Sequence, residues 1–144
     1  MRKADALQEA VNLLKLRVKV DSPVDLAPLI RGGLPSSVLV ALSVRMGLSP
    51  AAMIGAVGLP PRTLARRLKE KQALSAAESE RVLRIARALA QASETLGTVV
   101  KARHWLQKPN RALGGECPLR MLDTDVGANA VLEELGRIEH GVFA

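Results

Sequence analysis

The sequence predicts an all-α protein, a small helical bundle in which a helix-turn-helix is followed by a C-terminal helical module. Three observations lead there. Ala, Leu and Val supply 21, 23 and 14 of the 144 residues, while Trp105 and Phe143 are the only aromatics; this palette suits helices and is poor in what strands favour. Apolar residues recur at three- and four-residue spacings, and no strand pattern emerges. Helix start and stop signals punctuate the chain from end to end.

The elements follow in order. Residues 5–16 read as a helix on Leu7, Val11 and Leu14, broken at Ser22-Pro23. A short helical turn over 25–30 ends at Gly32-Gly33, and Pro35 opens a helix through Val38, Leu39, Leu42 and Met46 that Gly47 closes. Ser49 caps and Pro50 starts a short helix that ends at Gly58. Pro60-Pro61 turns the chain into a helix reaching Lys71. Ser75-Ala76-Ala77-Glu78 is a capping box, and it starts the longest helix, 76–96, with the stripe Val82, Ile85, Leu89, Ala92, Leu96. A further helix carries Lys101, His104, Trp105 and Leu106 up to Pro109. Residues 109–118 are a loop, 119–122 an apolar turn, and Thr124 caps a last helix, 125–139, on Ala128, Val131, Leu135 and Ile138. The expected division is 1–34, a helical segment without a motif; 35–97, the helix-turn-helix domain; and 98–144, the C-terminal module.

Composition excludes several chemistries. His104, His140 and Cys117 are too few for a Cys/His zinc cage, and one cysteine makes no internal disulfide. No signal-peptide core or membrane-length apolar run is present, so a cytoplasmic protein without membrane contact is expected. No nucleophile–base pair, metal cluster or phosphate-cradling loop appears, so neither an enzyme nor a cofactor is expected. The net charge of +7 is uneven: residues 1–115 carry +11 and residues 116–144 carry −4. A basic part for a polyanion and an acidic end for another partner is the reading.

Two short helices around a glycine turn, the second rich in cations, make a helix-turn-helix. At 100° per residue Leu64 and Leu68 face the core, while Arg62, Arg66 and Lys69 point away from it, with Thr63 beside them. Arg67 and Lys71 flank the apolar side, within reach of phosphates. Arginines near the start of such a helix suit guanine edges, and Thr63 a phosphate or a base edge. Ile54 stands where many such motifs carry alanine, and Gly55 and Ala56 are expected to supply the small crossing surface instead. Arg81, Arg84 and Arg87 either extend this basic face or solubilise the longest helix.

The string Trp105-Leu106, Pro109-Asn110, Leu113-Gly114-Gly115, Pro118-Leu119, Leu122-Asp123-Thr124, Gly127, Val131, Leu135, Ile138, His140-Gly141 resembles the toxin-binding domain of the Xre/MbcA/ParS antitoxin family. Residues 59–67 and 74–79 resemble that family's Xre-like helix-turn-helix. The resemblance implies a type II antitoxin whose partner is a RES-domain toxin, an enzyme that destroys NAD. It implies a homodimer that forms a hetero-oligomer with the toxin, covers the toxin's active site, and represses its own operon by binding operator DNA. The candidate toxin-contact residues are Glu133, Glu134, Arg137, His140, Val142, Phe143 and Ala144, at an acidic end suited to a basic nucleotide pocket. Trp105 is expected to anchor the module's core, Cys117 to fill it, and Asp123 and Asp125 to cap the last helix or stabilise its dipole. The alternative is a helix-turn-helix regulator whose C-terminal module dimerises or senses a small molecule.

Overall fold

The computed structural model describes residues 3–141, and within them the chain is helical, with no β-strand. The order is α1 Lys3–Leu13, α2 Pro23–Gly32, α3 Ser37–Met46, α4 Pro50–Val57, α5 Pro61–Glu70, α6 Ala76–Leu96, α7 Val99–Gln107, a 3-10 turn Arg111–Leu113, α8 Pro118–Met121 and α9 Asp125–His140. One isolated antiparallel bridge, Pro35 to Ala73, ties the entry of α3 to the exit of α5.

The architecture is organised by α6. Its start is fixed by the expected capping box: the Ser75 hydroxyl accepts the Glu78 N–H at 3.1 Å, and the Glu78 carboxylate accepts the Ser75 N–H at 2.7 Å. Val82, Ile85, Ala86, Leu89 and Ala92 are buried along it. Around this stripe pack α1, α2, α3, α7 and α9, so one core serves both halves of the chain. Among the described residues no single helix is long and apolar enough to cross a membrane.

Three local expectations change. The first helix starts at Lys3 and ends at Leu13, because Lys15 adopts a left-handed conformation (φ 57°) and the Leu16 N–H reaches back to the Val11 carbonyl at 3.1 Å. The turn expected over 25–30 is a ten-residue helix that tolerates Pro28 inside it. Its start is secured by Asp25, whose carboxylate accepts the N–H groups of Asp21 and Ser22. Trp105 is only half-buried; α7 contributes its core contacts through Ala102 and Leu106, both fully buried. Aliphatic side chains at three- and four-residue spacing therefore fill this core, and the indole packs at its edge.

Lys71 also closes α5 in the left-handed conformation (φ 55°), where glycine is conformationally cheaper. Lys71→Gly should raise thermal stability by about 0.5–1 kcal/mol, read as a higher Tm in a calorimetric scan.

Candidate functional sites

The helix-turn-helix is α4, Gly58-Leu59-Pro60 and α5. Ser49 caps α4 by accepting the Ala52 N–H at 3.2 Å. Met53, Ile54, Val57, Leu59 and Leu64 are buried between the two helices and the rest of the core. Ile54 is accommodated directly: Gly55 is exposed with open space around it, so it is not the expected small crossing surface. Gly58 has φ +76°, a left-handed conformation that favours glycine, and a Cβ there would lie 2.4 Å from the tip of the Arg81 side chain, which would have to shift.

On α5 the residues Arg62, Arg66 and Lys69 are exposed together, as their angular spacing requires, with Thr63 half-buried beside them. Lys71 is exposed just past the helix end. Leu64 is buried, whereas Leu68 is 36% exposed, at the edge of a small apolar cleft of about 90 Å³ with Leu39, Val40 and Met53. Arg67 does not stand free for phosphates: its guanidinium is paired with Glu78, across the turn at the start of α6. Partial burial raises the Glu78 carboxyl, but the Ser75 N–H, the Arg67 guanidinium and the Ser75 hydroxyl outweigh it and hold the group below the ordinary glutamate range. A depressed carboxyl contributes stability that is present above its unfolded-state value and is lost as pH falls through the folded one. Glu78→Gln should therefore flatten the acid limb of the Tm-versus-pH curve below about pH 5.

The arginines of α6 are clamps rather than a continuous phosphate track. Arg81 donates to the Val57 carbonyl at 2.9 Å, closing the C-terminal end of α4. Arg84 pairs with Asp125 at 2.9 Å and reaches the carbonyls of Leu122 and Asp123 at 3.4 Å, fixing the loop between α8 and α9. Only Arg87 of the three is exposed. From α7, Gln107 donates to the Met46 carbonyl at 3.0 Å, and the Arg103 guanidinium lies against Gly47. These side chains lock the helix-turn-helix to the elements that follow it. That role is invisible in the sequence, since an arginine on a long helix looks the same whether it meets water or a distant carbonyl.

In the C-terminal module, Asn110 caps the 3-10 turn by accepting the Ala112 N–H at 2.9 Å, and Thr124 caps α9 by accepting the Gly127 N–H at 3.0 Å. Gly127 sits against α8 so closely that a Cβ would lie 1.9 Å from the Met121 carbonyl oxygen. Asp125 serves the Arg84 link, in keeping with a structural role. Cys117 is half-buried, its thiol 3.4 Å from the Gln107 carbonyl. Helix α9 buries Ala128, Val131 and Leu135 and turns Glu133, Arg137 and His140 outward. Glu134 differs from expectation: it is buried, and it accepts from Arg137 at 2.6 and 2.9 Å. Its carboxylate therefore orients Arg137 and is not itself presented. The outward stripe extends to two residues that the sequence did not single out, Asn129 and Val126, the latter 80% exposed. Their helical spacing from Glu133 was the available signal. Val142, Phe143 and Ala144 lie outside the described residues.

The fold and these surfaces define a class: a helix-turn-helix protein with an appended helical module sharing its core. Residues 25–87 match the antitoxin Xre-like helix-turn-helix domain, and residues 91–141 match the antitoxin Xre/MbcA/ParS C-terminal toxin-binding domain. The chain is 33% identical over 116 residues to an antitoxin Xre of Yersinia enterocolitica, covering 80% of this chain and 78% of that one. It is 36% identical over 112 residues to an antitoxin Xre of Pseudomonas putida, covering 78% and 69%. A Prs ADP-ribosylating antitoxin of a Sphingobium species is 33% identical over 132 residues, covering 85% and 83%. The chain belongs to the Xre/MbcA/ParS antitoxin family. It is an antitoxin of a toxin–antitoxin system, with a helix-turn-helix domain and a domain that binds a cognate toxin.

Proposed function

We propose that this type II antitoxin neutralises a RES-type, NAD-degrading toxin by laying the outward stripe of α9 over the toxin's active site, and that it represses its own operon through α5. The observation that carries the toxin reading is the stripe itself. Val126, Asn129, Glu133, Arg137 and His140 offer one exposed apolar side chain, an acid, a held guanidinium and an imidazole on a rigid helix inside the toxin-binding domain. Such an i, i+3, i+7, i+11, i+14 surface, one face of the helix, suits docking into a groove. The Sphingobium relative, named for ADP-ribosylation, supports an NAD-using partner, because ADP-ribosyl transfer and NAD destruction break the same bond to nicotinamide.

The same reading divides the chain at 1–34, 35–97 and 98–144, with α6 packed against elements of all three. It also takes the protein as a homodimer that assembles with toxin into a hetero-oligomer in the cytoplasm.

Co-expression tests the neutralisation. A neighbouring toxin that halts growth alone should be rescued by this chain, and deletion of residues 137–144 should abolish rescue and co-purification. Because that deletion also strips Glu134 of its partner, the surface pair Glu133→Lys, His140→Glu serves as a second variant, expected to weaken the complex about tenfold or more while leaving the Tm unchanged. Rescue by both variants would end this assignment of the contact surface.

A further inference from the structure

Between α1 and α2 the chain runs through Lys15, Leu16, Arg17, Val18, Lys19 and Val20. The three cations are exposed, Leu16 and Val18 are half-buried and Val20 is buried. That alternation is the signature of an extended segment with one face on the core. The segment is gripped from α1. Gln8 donates through Nε2 to the Val18 carbonyl at 3.0 Å, and its Oε1 accepts the Val20 N–H at 2.8 Å, which brackets Lys19 on both sides. None of the three cationic side chains has an acceptor among the described residues.

We propose that residues 15–20 are a second nucleic-acid contact, presenting Lys15, Arg17 and Lys19 to the backbone phosphates of duplex DNA beside the stretch read by α5; this rests on the reading of α5 as the DNA-contacting helix. Three observations support it besides charge. Position is the first: Leu14, Lys15 and Leu16 line one cleft of about 340 Å³ with Leu68 of α5 and with Val40 and Val44 of α3, so the segment starts alongside the helix that carries Arg66 and Lys69. Spacing is the second. Past the turn at Lys15 the chain is extended, so Arg17 and Lys19 stand about 6.6 Å apart, the scale on which phosphates follow one another along a strand. Backbone conformation is the third. Among the described residues only Lys15 and Lys71 hold a positive φ without being glycine, and both flank this region, one ending α1 and the other ending α5. Holding a lysine where glycine is cheaper points to a use for the charge. The clamp supplies what a flexible basic loop lacks, since a pre-ordered segment loses little entropy on docking.

Phosphate contacts position a protein without reading sequence, and each one adds to the salt dependence of binding. The test uses the full chain, with fluorescence anisotropy on a duplex from upstream of its own gene and on a scrambled duplex, through a KCl series. The variant is Lys15→Asn, Arg17→Gln, Lys19→Gln, asparagine being chosen because it tolerates the left-handed conformation. Affinity should fall about tenfold on both duplexes, the plot of log K against log salt should become shallower by about 2 to 3, and the ratio between duplexes should stay unchanged. An unchanged slope on the scrambled duplex overturns the proposal, as does a loss confined to toxin binding. If the unaltered protein does not distinguish the two duplexes, the reading of α5 fails while the slope on the scrambled duplex still decides this segment. If it binds neither duplex, both readings fall.

Discussion

Arg62→Ala combined with Arg66→Ala should erase the protein's preference for its own promoter over scrambled DNA while leaving the fold intact. Both side chains are exposed on the outward face of α5, and neither has a partner within the described residues, so their removal creates no cavity and orphans no buried group. A bidentate arginine–guanine contact is worth about 1–3 kcal/mol of discrimination. Losing two should reduce the promoter-to-scrambled affinity ratio by about 30-fold or more, read by anisotropy at fixed salt. Arg67→Ala should give the opposite pattern. Its guanidinium is engaged with Glu78, so the variant should lower the Tm and shift the acid limb of stability while leaving the affinity ratio close to normal. A double Arg62, Arg66 variant that still prefers its promoter would dismiss α5 as the reading helix.

Local features of the fold were legible where they depend on short-range chemistry. The caps expected at Ser49, Ser75 and Thr124 all hold, because capping is settled within three residues, and Thr98, which the sequence reading passed over, caps α7 in the same way. The apolar stripes of α6 and α9 were legible for a similar reason: one face must be covered, whatever covers it. Long-range contacts were not. Angular spacing sets Arg67 on the flank of α5 and Arg66 on its outward face, but nothing local shows that Arg67 meets Glu78 instead of a phosphate, and nothing marks Arg81 as the group that closes α4 from 24 residues away. Glu134 misled for the same reason. A glutamate beside Glu133 on a helix reads as surface, and only the fold puts it on the flank that meets the core while its own neighbour Arg137 neutralises it. Among the candidate residues, the sequence thus separated the outward face of α5 correctly and left undecided which flanking charges belong to the protein's own framework.

Two glycines on α9 should respond to the same substitution with opposite signs. Gly127 is buried in the first turn of the helix, where an added Cβ would lie 1.9 Å from the Met121 carbonyl oxygen, 2.9 Å from its carbon and 3.1 Å from the Thr124 hydroxyl that caps the helix. Backbone, not a yielding side-chain tip, stands in the way. Gly127→Ala must therefore push α9 off α8 or break the cap, at a cost of about 2–3 kcal/mol and a Tm lower by about 6–10 °C. Because the stripe from Val126 to His140 rides on α9, toxin co-purification should weaken with it. Gly136 lies further along the same helix, where an added Cβ would meet nothing within 4 Å. There alanine clashes with nothing and lowers the entropy of the unfolded chain, so Gly136→Ala should raise stability by about 0.5–1 kcal/mol. Helix propensity alone predicts that both substitutions stabilise, since alanine is the better helix former at either position. A Gly127→Ala protein as stable as Gly136→Ala would mean that α8 and α9 are not in contact through this residue, and the placement of α9 would have to be redrawn.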